Sequence, residues 1–206
     1  MAERATASAA ATVANLGPGY DVLGLCLEGP RDRVSAELTD DGQVTIVRIT
    51  GDDGRLPLAA EENCVGVAAR WVLDHYGRGE GIRLWLDKGL PLGSGLGSSA
   101  ASSVAAAVAT AALIDPDLPK AALLGACREG ERLATGVPHA DNVAPSLFGG
   151  LVACIPTPED GIDVVRLSVP DDLVVAAVKP NYDIRTADAR KVLPTHVPMV
   201  DAVANL

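Results

Sequence analysis

The chain has 206 residues, 48% of them hydrophobic but only 3% aromatic, so a core can be buried but must be built mainly from Ala, Val and Leu. Its formal net charge of −10 argues against a nucleic-acid partner, which needs clustered Lys and Arg, and against an anionic membrane surface. No apolar run reaches the ~18 residues of a membrane span, and Met1-Ala2-Glu3-Arg4 does not open a secretory leader. These features predict a soluble, cytoplasmic protein of one large domain, or of one domain and a fragment of a second.

Residues 4–14 are small and weakly β-prone and lead into a turn at Gly17-Pro18-Gly19. Val34, Ala36 and Leu38 alternate with polar neighbours, as do Val44 and Ile46, which predicts two half-buried strands. Asp40-Asp41-Gly42 between them is a hairpin signal. Asn63 to Tyr76 reads as a helix, and Ile82, Leu84 and Leu86 alternate with Arg83, Trp85 and Asp87 as a strand. Ser98 to Ala112, mostly Ala and Ser, predicts a helix of small cross-section that Asp115-Pro116-Asp117 ends. Pro119 suits the first turn of another helix running to about Ala134. Strands are expected at 150–156, 162–169 and 173–178, then a short helix capped by Thr186 and ending near Pro194. Met199 to Leu206 reads as the opening of a helix, without a stop signal, and suggests a chain cut within a second domain. The four cysteines, Cys26, Cys64, Cys127 and Cys154, form no C-x-x-C pair and read as free thiols rather than zinc ligands.

The segment Pro91-Leu92-Gly93-Ser94-Gly95-Leu96-Gly97-Ser98-Ser99-Ala100-Ala101 joins a strand to a helix. Glycines let a backbone approach a polyphosphate, and the first helical turn offers unpaired N–H groups and the positive dipole end. Ser98 and Ser99 add hydroxyls that can cap the helix, touch phosphate or reach a magnesium ion. A glycine-rich turn with serine capping accounts for the same residues without a ligand. Two common phosphate loops are excluded: no Lys follows the glycines as in a P-loop, and the spacing is G-x-G-x-G rather than G-x-G-x-x-G. Asp115 and Asp117 lie near the distance of a ribose-binding acid and keep a dehydrogenase only as a weak rival.

The loop resembles the signature P-x-x-x-G-L-G-S-S-A-A of the GHMP kinases (galactokinase, homoserine kinase, mevalonate kinase and phosphomevalonate kinase), matching at every fixed position. Within that family, residues 14–24 (Ala14-Asn15-Leu16-Gly17-Pro18-Gly19-Tyr20-Asp21 to Gly24) are similar to the N-terminal substrate segment of homoserine kinases. Pro138-His139-Ala140-Asp141-Asn142 through Gly150 is similar to their central segment, and Thr186 to Arg190 with Val192-Leu193-Pro194 to a later one. The resemblance implies an α+β, two-domain GHMP kinase fold. Residues 1–156 would be an α/β ATP-binding domain with a left-handed β-α-β crossover, and 157–206 the incomplete start of a ferredoxin-like domain.

It further implies that ATP lies on Pro91–Ala101 with Asn63 at the base, and that Ser99 and Glu131 bind Mg2+. Asp21 would pair with the ammonium of L-homoserine and Asn15 would hydrogen-bond the substrate. His139 and Asn142 would stand near the reacting hydroxyl, and Thr186 and Arg190 would hold the carboxylate, which suits an Arg fork. Asp141 is the local candidate for a catalytic base, and direct attack by the hydroxyl without a base is the alternative. Lys88 either assists the phosphates or merely lays its stem along the surface. Without the resemblance, Asn15 and Asp21 are turn formers, His139 an ordinary histidine and Glu131 a solvated helix charge. Nothing in 156–206 matches the family's third, glycine-rich motif, nor a second carboxylate-binding Arg; the expectation is weak nucleotide binding and no turnover by these residues alone. The rivals are another GHMP small-alcohol kinase and a non-catalytic binding protein of the same fold. Dimerisation is common in the family, but no stretch of sequence marks a homodimer interface.

Overall fold

In the computed structural model of the chain, which describes residues 3–158, 161–178 and 191–204, one mixed sheet carries helices on a single face. Its strands are β1 (Arg4–Ala14), β2 (Leu23–Thr39), β3 (Val44–Thr50), β4 (Gly81–Asp87), β5 (Leu151–Pro156) and β6 (Ile162–Leu167). The helices are α1 (Cys64–Tyr76), α2 (Ser98–Ile114), α3 (Leu124–Thr135), α4 (Val143–Phe148) and α5 (Met199–Ala204). None among the described residues is long and apolar enough to cross a membrane.

The 17-residue β2 organises the sheet. It pairs antiparallel with β1 along one edge, and its other edge takes β4 at Arg33–Thr39 and β5 at Leu23–Leu25. On β4 the alternation read from sequence holds: Ile82, Leu84 and Leu86 are buried beneath the helices, while Arg83 and Asp87 face outward. Trp85 lies on the open face with the Arg4 guanidinium 4.2 Å above its ring.

Helix α2 runs through the centre and touches β1, β2, α1, α3 and α4. That is the use of its Ala/Ser composition. Ala100, Ala101, Ala105, Ala106, Ala107 and Ala109 are all essentially buried, and with no side chain beyond Cβ they let strands and helices alike approach one helix. The aromatic-poor core follows from the same close approach.

Two expectations are corrected here. Asp40-Asp41-Gly42 does turn the chain, with Gly42 at φ 68°, but β2 and β3 do not pair. β4 inserts between them, antiparallel to β2 and parallel to β3. The chain leaves β3, packs Val65, Ala68, Ala69 and Val72 of α1 into the core, and returns as β4 inside the gap. A turn signal reports reversal, not which strand fills the space beside it. Second, residues 173–178 form no strand, while β6 pairs with β5 and so extends this same sheet past residue 156. The helix expected from Thr186 lies outside the described residues.

All four cysteines are free. Burial pushes the thiols of Cys64 and Cys154 up to about 11 and that of Cys127 to about 12, so none is poised as a thiolate.

Candidate active site

The glycine loop leaves β4 and enters α2 with Gly93, Gly95 and Gly97 at φ 64°, 71° and 65°, a left-handed conformation that side chains rarely tolerate. Gly97 is the N-cap and contributes no capping side chain, so the first-turn N–H groups of α2 are left for another acceptor. Pro91, Gly93 and Gly95 are exposed, and Leu92, Ser94, Leu96, Gly97, Ser98 and Ser99 are half-buried around them. Ala100 and Ala101 are fully buried, so their side chains pack inward and only first-turn backbone could face a nucleotide.

Lys88 is the larger correction. Its ammonium does not reach toward the loop's outer surface; it is buried beneath it in an ion pair with Asp32 of β2. It also donates to Ser98 Oγ at 2.7 Å and Ser102 Oγ at 2.9 Å. Asp32 accepts from Ser102 Oγ at 2.6 Å and, through its other oxygen, from the backbone N–H groups of Gly89 and Leu90 at 3.0 Å. One buried charge pair therefore ties β2, the end of β4 and the start of α2 together. Such a pair persists only when its remaining donors and acceptors are satisfied, as they are here.

Ser99 and Glu131, the expected magnesium pair, do meet: Ser99 Oγ donates to Glu131 Oε2 at 2.7 Å. Glu131 is no solvated helix charge; it is 5% exposed on α3. Burial raises its pKa above the usual carboxylate value, and the neighbouring Asp141 carboxylate adds to the rise, while the Ser99 hydroxyl opposes it. Two buried acids held close together favour a cation between or beside them. Among the described residues no group of three or more His, Cys, Asp or Glu could enclose a metal by itself. Magnesium does not require one, because it keeps waters and shares phosphate oxygens around one or two carboxylates. The residues present fit that ion.

The substrate-like segments converge on the same place. Thr12 N–H donates to Leu96 carbonyl at 3.0 Å, and Thr12 Oγ1 donates to Asn142 Oδ1 at 2.8 Å. Gly97 lies against that pair, since a Cβ there would collide with Thr12 Oγ1. Asn15 and Asp21 both adopt positive φ, 70° and 57°, and Asn15 Oδ1 accepts from Asp21 N–H at 3.0 Å, closing the loop on itself. Non-glycine residues held there store strain of a kind that clusters at ligand sites. Asp21 Oδ1 lies 3.6 Å from His139 Nδ1, and His139 Nε2 is buried with no hydrogen-bond partner among the described residues. Asp141 is 3% exposed beneath them, and its carbonyl abuts Gly24, where any Cβ would collide. That contact presses the 139–142 segment onto β2.

Asn63 has another task. It caps α1, its Oδ1 accepting from Val65 N–H at 3.0 Å and its Nδ2 donating to Pro57 carbonyl at 2.8 Å, and it is 3% exposed. Thr186 and Arg190 lie outside the described residues. Sequence reasoning missed Thr12, Asp32 and Ser102. Asp32 sits in the polar run Glu28-Gly29-Pro30-Arg31-Asp32-Arg33, where nothing distinguishes it from a solvated charge.

Comparison with known proteins agrees with this geometry. Residues 63–150 match the model of the GHMP kinases N terminal domain. The chain is 38% identical over 196 residues to a homoserine kinase of Methanococcus maripaludis, covering 95% of this chain and 63% of that protein. It is 41% identical over 201 residues to a homoserine kinase of Arabidopsis thaliana, covering 96% and 54%. It thus spans less than two thirds of the length of these curated relatives. The crystal structure of a homoserine kinase from Cytophaga hutchinsonii superposes with a TM-score of 0.89 at 43% identity, over 100% of this chain and 64% of that one. A mevalonate kinase of L. major, at 18% identity and a TM-score of 0.58 over 81% of this chain and 55% of its own, shares the fold. With the P-x-x-x-G-L-G-S-S-A-A loop seated at the head of α2 and the mixed sheet behind it, residues 63–150 carry the GHMP kinases N terminal domain.

Proposed function

We propose that this chain carries the ATP site and most of the substrate site of a homoserine kinase. It would transfer the γ-phosphoryl group of ATP to the side-chain hydroxyl of L-homoserine, giving ADP and O-phospho-L-homoserine on the route to threonine. The observation that supports this best is the Thr12–Asn142 hydrogen bond beneath Gly97. It joins the phosphate-binding helix terminus to the central substrate-like segment and, through Thr12, to the strand β1 that leads into the N-terminal one, so two ligands held there would lie side by side.

The nucleotide phosphates rest on the loop 91–97 and the N-terminus of α2, where backbone N–H groups and the helix dipole favour negative charge. Glu131 and Ser99 hold magnesium, which when bound neutralises charge on the phosphates. Asp21 takes the substrate ammonium, with Asn15 fixing the loop that presents it. His139 and Asn142 orient the hydroxyl, and Thr186 and Arg190 hold the carboxylate. Phosphoryl transfer through a loose transition state asks mainly for alignment and charge stabilisation, so these residues position and the reaction needs little covalent help. Asp141, buried beside Glu131, is the group to accept the hydroxyl proton if a base is used. Residues beyond β6 open the second, ferredoxin-like domain, and the protein works in the cytoplasm as a homodimer without nucleic acid or membrane.

The test is ADP release by the protein expressed from its complete gene, measured with L-homoserine, mevalonate and galactose in parallel. Release with homoserine alone is expected. Equal release with another alcohol would move the protein to a different GHMP specificity, and nucleotide binding without turnover would make it a binding protein.

A further inference from the structure

The two serines that open α2 are not equivalent, and the difference lies in where their hydroxyl protons go. Ser99 Oγ donates to Glu131 Oε2 at 2.7 Å, so its lone pairs remain for a cation. Ser98 Oγ faces the Lys88 ammonium at 2.7 Å. An ammonium has only donors, so Ser98 must accept from it, and its own proton has to point elsewhere. Asp32 cannot take that proton. Its two oxygens already accept from Lys88, Ser102 Oγ, Gly89 N–H and Leu90 N–H. Lys88 is equally committed: its three protons serve four acceptors, Asp32, Ser102 Oγ, Ser98 Oγ and the Ser98 carbonyl at 3.1 Å, and its side chain is 1% exposed. It therefore cannot touch a nucleotide itself.

We infer that Lys88 is a positioning residue: held by Asp32 beneath the loop, it fixes the Ser98 hydroxyl as a donor toward a nucleotide phosphate oxygen. Ser99 beside it is fixed as an acceptor toward the accompanying cation. Adjacent hydroxyls of opposite polarity match the alternation of phosphate oxygen and metal on a bound nucleotide. The inference rests on the ATP reading of this loop and adds the device that sets its polarity.

The test is a double-mutant cycle on ADP affinity with magnesium, measured by calorimetry so that turnover plays no part. Ser98→Ala is expected to weaken ADP about tenfold or more, the range of a hydrogen bond to a charged group. Its unfolding temperature should fall only modestly, because the buried Lys88 loses one acceptor but keeps Asp32, Ser102 and the Ser98 carbonyl. Lys88→Met with Asp32→Asn removes the charge pair together, keeps acceptors for Gly89 and Leu90, and so guards against simple unfolding. In that background Ser98→Ala should cost less than about a further twofold, since the hydroxyl is no longer aimed. Losses that simply add across the cycle, or Ser98→Ala binding like the unaltered protein, would overturn the inference and leave the ATP reading intact. Failure of the unaltered protein to bind ADP or ATP at all would overturn both.

Discussion

Ser99 Oγ and Glu131 Oε2 lie 2.7 Å apart, coupling the first turn of α2 to a carboxylate that α3 buries. Burial first, then the Asp141 charge, raises the pKa of Glu131 above its ordinary 4.5. A magnesium ion needs the carboxylate, so its binding competes with a proton. Magnesium-dependent nucleotide affinity should therefore increase as pH rises through that raised value, and Glu131→Gln should both weaken it and flatten the profile. Calorimetry with ADP and magnesium from mildly acidic to neutral pH measures this. A pH dependence unchanged by Glu131→Gln would show that another group holds the ion.

The same raised pKa has the opposite sign for the stability of the ligand-free fold. An acid whose folded pKa exceeds its unfolded value contributes stability that is complete below 4.5 and is lost as pH rises through the folded value. At neutral pH, Glu131→Gln should thus stabilise the ligand-free protein, by about 0.5–2 kcal/mol as for other relieved functional strains. Thermal unfolding without magnesium reads it. A fall in melting temperature at neutral pH would mean that the Ser99 hydrogen bond outweighs the desolvation of the charge.

Asp21 is held at φ 57° with its N–H bonded to Asn15 and its carboxylate toward His139. If it pairs with the substrate ammonium, Asp21→Ala loses a charged hydrogen bond of about 1.5–3 kcal/mol, or roughly 10- to 150-fold in kcat/KM. The loss should appear with homoserine and not in ADP affinity. Unchanged homoserine kinetics would remove Asp21 from the pocket.

Much of this was legible before the structure, and the exceptions share a cause. Strand alternation at 81–87, the helix read over 63–76 and the Ala-rich α2 are local patterns, and each element formed where the sequence indicated. The sheet order was not legible, because insertion of β4 between β2 and β3 is decided by which apolar faces pack, not by the turn at 40–42. The site divides the same way. Ser99 and Glu131 are 32 positions apart and came together as the family resemblance implied. Lys88, by contrast, reads as a surface charge until Asp32, 56 positions earlier, is seen beside it. A buried ion pair leaves no trace in either partner's neighbours.

The loop glycines separate into two kinds, which substitution can distinguish. A Cβ at Gly95, φ 71°, would meet nothing within 4 Å, so Gly95→Ala should cost only the left-handed backbone, about 1–2 kcal/mol, less what alanine gains by stiffening the unfolded chain. Nucleotide affinity should nevertheless fall, because a methyl group would stand where phosphate must approach. Gly97, φ 65°, carries the same backbone strain and also abuts Thr12 Oγ1 and Asn142 Oδ1, so Gly97→Ala should destabilise the fold clearly more. Adding Thr12→Ala removes the atom it strikes. The double variant should regain the collision part of the loss but neither the strain nor the Thr12–Asn142 hydrogen bond, ending below Gly95→Ala by about the 0.5–1.5 kcal/mol of that bond in denaturant-induced unfolding. If Thr12→Ala instead worsens Gly97→Ala by its full separate cost, the two residues do not press on one another, and the junction between loop and substrate segments is looser than their contact implies.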